Sequence, residues 1–256
     1  MHTLLRAAAL AVVVGAQTLG GQTMPANGQM AKNVVLVHGA FAEAASWSKV
    51  IPLLQAQGFH VTAVGTPLTS FADDVAATKR AIAAQDGPTV LVGHSYGGVV
   101  ITEAGNNPKV TSLVYVSAFA PDAGQSIAEI SKPFAPPPGL GELRPLPDGF
   151  LLLSPKGIEE NFAQDLTPAE KTLMVATQPQ TAGSIFDAKP TAAAWRTKPA
   201  WYVVATNDRM IDPAQERAMA KQMKAKITEL MSSHVIMLSH PKEVARVIED
   251  AANGRR

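Results

Sequence analysis

The sequence predicts one α/β domain, with a mostly parallel sheet flanked by helices and interrupted by an inserted cap. Short β-favouring runs alternate with stretches of helical apolar spacing along most of the chain. Most of these runs are continuously apolar, which is typical of strands covered on both faces. At 256 residues the chain is long enough for one such domain with a substantial core.

The individual elements follow from local signals. Strands are predicted at residues 32–37, 59–64, 89–92, 110–117, 202–206 and 227–231. Helices are predicted at residues 47–57, 71–85, 98–106 and 243–253. The second of these helices has Asp73 and Asp74 in its first turn and Lys79 and Arg80 later, as the helix dipole favours.

Residues 121–197 interrupt this alternation and are too long for an ordinary connection. The segment is rich in proline, has helical stretches around 158–164 and 168–177, and contains several aromatic residues. Because this composition is too apolar for a disordered loop, the segment is predicted to be a cap. We expect it to cover the carboxyl ends of the strands, where open α/β sheets bind ligands.

The first 32 residues are predicted to be an export signal followed by a tether. Arg6 precedes a short apolar run at 7–16, which ends in Val14-Gly15-Ala16, small residues suited to cleavage. The run is too short to span a bilayer, so stable membrane insertion is not expected. A periplasmic or secreted protein is therefore predicted. An unprocessed leader or a membrane-tethering anchor is the alternative.

Composition excludes several classes of function. The formal net charge of +1 gives no basic surface for nucleic acid. The chain has no cysteine, so disulfides, a thiol nucleophile and cysteine-ligated metals are excluded.

The most informative motif is Gly93-His94-Ser95-Tyr96-Gly97, between a predicted strand and a predicted helix. A serine between two glycines at this spacing is typical of a nucleophile elbow, a strained turn that exposes the hydroxyl. The helix that follows directs its N-terminus toward the negative charge that develops during attack. Ser95 is therefore the predicted nucleophile. The alternative is a glycine-rich turn with an incidental serine.

A serine nucleophile needs a base and an acid that orients the base. Two histidines follow Ser95, and His234 lies directly after the last strand, where a loop projects toward the elbow. His240 precedes Pro241 and is predicted to cap a helix. His234 is therefore the favoured base.

The predicted acid is Asp208, in the loop that leaves the strand at 202–206. Asp212 and Glu216 are alternatives, although Asp212 precedes Pro213 and is typical of a helix N-cap. Alternatively, the Asp208 side chain could only accept hydrogen bonds from the backbone of its own turn.

Two N–H groups are needed to stabilise an oxyanion, and the predicted donors are those of Ala40 and Tyr96. Gly39 allows the backbone at Ala40 to approach closely. His38 and His94 flank these turns, and structural roles are predicted for both.

These motifs identify a family resemblance over residues 33–252. The pieces that match are Val35-Leu36-Val37-His38-Gly39-Ala40, Gly93-His94-Ser95-Tyr96-Gly97-Gly98, Asn207-Asp208 and Ser233-His234. The chain resembles an α/β-hydrolase, in the branch of plant methyl-ester esterases, hydroxynitrile lyases and bacterial relatives. The resemblance also favours His234 over His240, because Val235-Ile236-Met237-Leu238-Ser239 follows it, and it implies an oxyanion hole at Ala40 and Tyr96.

Departures from the lyase pattern are informative. The lyases have lysine directly after the catalytic histidine and threonine after the histidine that ends the first strand. This chain has Val235 and Gly39 there, so the resemblance implies an esterase. Dehalogenases and epoxide hydrolases of the superfamily use an aspartate nucleophile, and Ser95 argues against both.

The sequence thus predicts a serine hydrolase that cleaves small, uncharged, apolar esters or lactones through an acyl-enzyme. Phe41 and Phe119 are expected to line the pocket, and the mechanism requires no metal or organic cofactor. The expected partner is a small-molecule ester. The alternatives are a cofactor-free lyase or a perhydrolase on the same triad, and a non-catalytic binder of small molecules.

Overall fold

The structure is a computed structural model that describes residues 30–255. The strands of the described residues are β1 (Asn33–Val37), β2 (His60–Val64), β3 (Thr89–Ser95), β4 (Val110–Ala118), β5 (Leu143–Pro145), β6 (Phe150–Leu153), β7 (Thr181–Ala182), β8 (Ala200–Ala205) and β9 (Lys226–Leu230). Six of them form one parallel sheet in the order β2-β1-β3-β4-β8-β9. The α/β class and the parallel sheet are therefore confirmed.

The helices flank this sheet. They are α1 (Ile51–Ala56), α2 (Phe71–Ala83), α3 (Gly97–Ala104), α4 (Ile127–Ser131), α5 (Pro155–Gly157), α6 (Pro168–Thr177), α7 (Pro213–Gln222), α8 (Ile236–Ser239) and α9 (Pro241–Ala252). The helix predicted at 47–57 is shorter than expected: a 3-10 turn at Ala44–Trp47 precedes α1. Pro52 lies in the first turn of α1. Proline is tolerated there because it has no N–H, and the first turn of a helix needs none for its internal hydrogen bonds.

The central strands are buried on both faces. Every residue of β1 and β3 is buried, because helices α3 and α9 pack against β3 while α2 packs beside α3. The edge strands β2 and β9 are only partly buried. This difference explains why the central strands are continuous apolar runs, whereas Lys226-Ile227-Thr228-Glu229-Leu230 is not.

The connection between β4 and β8 contains α4, α5, α6 and a π-helical turn at Ile158–Phe162. It also contains a small antiparallel sheet in the order β5-β6-β7, which the sequence did not indicate. The helical stretches predicted near 158–164 and 168–177 correspond to the π-helical turn and α6. The cap predicted at 121–197 lies within this connection.

Most of the predicted export signal and tether, residues 1–29, lies outside the described residues. Within the described part of the tether, Ala31 is buried and its N–H donates to the carbonyl of Ala252 over 3.2 Å. This hydrogen bond joins the start of the described chain to the last residue of α9. Between residues 30 and 255, every helix is too short or too polar to cross a membrane.

Candidate active site

Ser95 ends β3 in a strained turn. Its φ of 53° lies in the left-handed region, which residues other than glycine rarely adopt. The neighbouring glycines allow the turn to close: a Cβ at Gly93 would lie 2.6 Å from the carbonyl oxygen of Gly97. Helix α3 begins at Gly97. The strand, strained turn and helix predicted from the motif are therefore all present.

His234 and Asp208 form a buried pair. Their side chains are 1% and 0% exposed, and Nδ1 of His234 lies 2.6 Å from Oδ2 of Asp208. Oδ1 of Asp208 accepts hydrogen bonds from the N–H groups of Met210 and Ile211 over 2.7 and 3.0 Å. Because an ionised carboxylate only accepts, the Nδ1 of His234 carries the donated proton and Nε2 is left as an acceptor.

Ser95 and His234 line the same cavity. Among the described residues, the Ser95 hydroxyl makes no hydrogen bond to the His234 ring. Catalytic hydrogen bonds often form fully only when substrate is bound, so the arrangement is compatible with a nucleophile and base.

The two predicted oxyanion donors lie beside Ser95. Ala40 and Tyr96 are buried, and neither backbone N–H is hydrogen-bonded within the described part of the chain. A Cβ at Gly39 would lie 3.1 Å from the Ser95 hydroxyl oxygen, so the turn after β1 packs closely on Ser95. The adjacent N–H, that of Phe41, is instead occupied by the Thr181 hydroxyl at 3.2 Å.

The Tyr96 side chain anchors the elbow from below. Its hydroxyl donates to Oδ2 of Asp74 in α2 over 2.8 Å, and the N–H of Leu68 donates to the other Asp74 oxygen over 2.8 Å. Burial and the nearby Asp74 carboxyl raise the pKa of the Tyr96 phenol far above its ordinary value. Tyr96 therefore offers the cavity only its backbone N–H. The sequence signal at Asp74 concerns only the helix dipole and does not indicate this contact with Tyr96.

Two rings enclose the His234 imidazole. The ring centroids of His94 and Phe162 lie 4.7 and 5.1 Å from that of His234. Nε2 of His94 donates to the His234 carbonyl over 3.0 Å. Burial lowers the pKa of His94 well below its ordinary value, so it adds no charge beside His234. Phe162, in the π-helical turn, was not identified from the sequence.

His38 also has structural contacts. Its Nδ1 donates to the carbonyl of Gly39 over 2.9 Å, and its Nε2 accepts from the N–H of Thr66 over 3.1 Å. These bonds fix the turn that carries Ala40. They agree with the structural roles predicted for His38 and His94.

The remaining alternatives for base and acid lie away from the ring of His234. His240 was predicted to cap α9, and this is wrong: its side chain makes no capping bond, and its Nε2 lies 3.3 Å from the Met231 carbonyl. Asp212 caps α7 as predicted and accepts from the N–H of Ala214 over 2.8 Å. Glu216 is fully buried, facing Asp208 rather than His234.

The cavity beside Ser95 has a volume of about 500 Å³. Its lining is largely apolar: Ala40, Phe41, Phe119, Ile127, Ala128, Phe134, Ala135, Pro136, Pro137, Leu140, Leu143, Phe162, Phe186, Met210 and Ile211, with Ser95, Ser131, Lys132, Gln215 and His234. Phe41 stacks on Phe186, with ring centroids 6.4 Å apart. Val235, the residue after His234, is buried and does not line the cavity.

Two cap residues contact the loops that carry Asp208 and His234. Gln164 donates through Nε2 to the carbonyl of Asn207 over 2.7 Å. Asp165 accepts from the N–H of Ser233 over 2.8 Å and from the Ser232 hydroxyl over 3.1 Å. The connection between β4 and β8 thus contacts both loops and contributes residues to the lining of the cavity.

Comparison with known proteins decides the family. The model of the alpha/beta hydrolase family matches residues 34–247, which include the elbow, both loops and the cap. The chain belongs to the alpha/beta hydrolase family. This confirms the family expected from the motifs.

Similar members of the alpha/beta hydrolase family are named as esterases or hydrolases. The chain is 26% identical to a pyrethroid hydrolase of Sphingobium wenxiniae over 257 residues, covering 86% of this chain and 88% of that protein. It is 34% identical to methylesterase 2 of Arabidopsis thaliana over 120 residues, which are 41% of this chain and 46% of the other.

The fold is also found in solved structures. A pyrethroid hydrolase from Sphingobium faniae JZ-2 superposes with a TM-score of 0.75 at 25% identity, covering 87% of this chain and 98% of the other. Polyneuridine aldehyde esterase superposes with a TM-score of 0.74 at 22% identity, covering 86% and 98%. The second likeness concerns the alpha/beta hydrolase fold alone.

Proposed function

We propose that this protein is a carboxylic ester hydrolase that works through an acyl-enzyme on Ser95. The observation that carries the proposal is the 2.6 Å pair of His234 and Asp208 at the cavity that Ser95 lines. Ligand binding alone requires no such set of serine, histidine and aspartate. The esterase and hydrolase names of the relatives support the same activity.

The proposed acylation uses Ser95, His234 and Asp208 together. Nε2 of His234 takes the Ser95 proton as the oxygen attacks the ester carbonyl, and Asp208 stabilises the imidazolium that forms. The N–H groups of Ala40 and Tyr96 bind the oxyanion. Collapse of the tetrahedral intermediate breaks the bond to the alkoxy oxygen, which receives the proton from His234.

Deacylation uses the same groups in reverse. His234 removes a proton from a water molecule as that water attacks the acyl carbonyl. The oxyanion again forms beside Ala40 and Tyr96. When this intermediate collapses, the bond between the acyl carbon and the Ser95 oxygen breaks, His234 returns the proton to that oxygen, and the carboxylic acid leaves. All the proton transfers are therefore made by side chains of this chain.

We propose a neutral ester with at least one bulky apolar group as the substrate. A cavity of about 500 Å³ is in the range that holds drug-sized ligands. Lys132, exposed at the rim, is the one lining side chain with a fixed charge, and acidic side chains do not occur among the lining residues. Burying a carboxylate in the apolar part of this cavity is unfavourable.

The nucleophile is tested with Ser95→Ala and a serine-directed aryl phosphonate. The variant is expected to lose at least about a thousandfold in kcat for p-nitrophenyl butyrate, because the triad acts as a unit. Mass spectrometry should find the phosphonate on Ser95. Ser131→Ala, which changes another serine of the cavity, is the matched control and should keep kcat within about threefold. Near-normal turnover by Ser95→Ala would refute the assignment.

Substrate class is tested with a series of p-nitrophenyl esters. We expect kcat/KM to rise from acetate to hexanoate by up to about fourfold per methylene, since each buried methylene contributes about 0.8 kcal/mol. The hemisuccinate is the charged control of similar length. Its kcat/KM should be at least tenfold lower than that of the pentanoate, which corresponds to about 1.4 kcal/mol in transition-state stabilisation. A flat series or a preferred hemisuccinate would contradict the apolar pocket.

The lyase alternative is tested on the same preparation with mandelonitrile. The lyases of the resemblance have a lysine where this chain has Val235, and Lys132 lies exposed at the rim. We expect ester hydrolysis without cyanide release above background. Cyanide release faster than ester turnover would favour the lyase instead.

A further inference from the structure

Glu216 is a buried carboxyl that the mechanism above does not use. It lies in the first turn of α7 and has no exposed surface. One of its oxygens, Oε2, accepts from the N–H of Ala205 over 3.2 Å. The other, Oε1, is buried without a partner if the group is ionised. The Glu216 carboxyl also faces the Asp208 carboxylate within hydrogen-bonding reach.

Two adjacent buried carboxyls cannot both ionise at neutral pH, because like charges in a poorly solvated site repel strongly. Asp208 accepts three hydrogen bonds, from Met210, Ile211 and His234. Glu216 accepts one, from Ala205. The better-stabilised charge is therefore that of Asp208, and the shared proton belongs on Glu216.

The surroundings agree with this distribution. Burial and the Asp208 charge raise the pKa of Glu216 well above its ordinary value. The Tyr202 hydroxyl donates to the Ala118 carbonyl, and burial raises its pKa, so it is neutral. Arg217 favours the charged form of Glu216, but its guanidinium is paired with Glu229 at the surface.

We propose that Glu216 is a positioning residue: its protonated carboxyl donates a hydrogen bond to Asp208 and holds that carboxylate against His234. The inference rests on the function proposed above, since it assigns Asp208 the role of orienting acid. A proton on the Glu216 carboxyl makes it a donor to Asp208, which an ionised carboxylate cannot be. It also supplies Asp208 with one more donor without adding a charge near His234.

The protonation state is tested directly by infrared difference spectroscopy of the full chain and Glu216→Gln at neutral pH. The native protein should show the carbonyl stretch of a protonated carboxylic acid, and the variant should lack it. A difference spectrum with only carboxylate bands would overturn the proposal. This readout does not depend on turnover, so it separates failure of this inference from failure of the proposed hydrolase activity.

The positioning role is tested with Glu216→Leu and Glu216→Gln. The leucine variant removes the donor and is expected to lose about tenfold to a hundredfold in kcat at unchanged KM, the range expected for a hydrogen bond to a charged group. Glutamine can accept from Ala205 and donate to Asp208, so Glu216→Gln should restore kcat to within about threefold. Asp212→Ala, which removes only the cap of α7, is the control and should keep kcat.

The pH profile separates a neutral Glu216 from a charged one. If Glu216 is neutral, Glu216→Gln removes no charge, and the acid limb of kcat/KM should stay where it is in the native enzyme. If Glu216 were ionised, the variant would lose a negative charge near His234, and the limb would move to lower pH. Such a move, or native kcat in Glu216→Leu, would overturn the proposal.

Discussion

Asp208→Asn should inactivate the enzyme because it moves the proton of the neutral His234 ring from Nδ1 to Nε2. Oδ1 of Asp208 accepts from the N–H groups of Met210 and Ile211, at 2.7 and 3.0 Å. In the variant only the amide oxygen can accept these bonds, so the NH₂ group must face Nδ1 of His234. Nδ1 then becomes an acceptor, and the proton moves to Nε2, which can no longer receive the Ser95 proton.

The expected loss in kcat is about 10⁴-fold, or about 5.5 kcal/mol, as for the same substitution in a serine protease triad. KM should change little, because Asp208 does not line the cavity. The assay is kcat for p-nitrophenyl butyrate, with the ring nitrogens followed by ¹⁵N NMR. A variant within about tenfold of native kcat, or one that keeps its proton on Nδ1, would refute the reasoning.

Three further predictions concern the histidines and the N-terminus. His234→Ala should lose at least about a thousandfold in kcat. His240→Ala removes no helix cap, so it should leave kcat unchanged and alter the free energy of unfolding by no more than about 0.5 kcal/mol. The reverse pattern would exchange the roles of the two histidines. Burial lowers the pKa of His94 from 6.5, so the unfolded chain binds a proton that the folded chain does not, and the free energy of unfolding should fall as the pH drops below about 6.5. Urea unfolding at about pH 7 and pH 5 should show a smaller fall in His94→Gln, and an unchanged fall would contradict this. Cleavage of the export signal should yield a mature chain that begins between residues 17 and 32, and removal of residues 1–30 should leave kcat unchanged. N-terminal sequencing of the secreted fraction that returned Met1 would contradict a cleaved export signal.

The sheet and the elbow could be predicted from sequence because their signals are local. The strand before Ser95 is a run of β-favouring residues, and the turn requires glycine at positions 93 and 97 on steric grounds. The same holds for Asp212, whose position before Pro213 is a local signal for the cap of α7.

What the sequence did not reveal depends on long-range packing. Asp74 is 22 residues from Tyr96, and Phe162 is 72 residues from His234, yet each pair is in contact. His240 lies at a helix start, but its ring points to the Met231 carbonyl instead. Val235 follows His234 directly, and only the backbone path shows that its side chain enters the core. Such directions are set by tertiary contacts rather than by spacing.

The contacts of Gln164 and Asp165 limit how this enzyme can acquire new substrates. These residues join the cap to the loops of Asp208 and His234, so exchanging the cap as a block would also disturb the proposed acid and base. Single substitutions on α4, whose side chains reach the cavity through Ile127, Ala128 and Ser131, leave those contacts in place. Diversification of the pocket should therefore proceed by point mutation on α4 more readily than by recombination of whole caps.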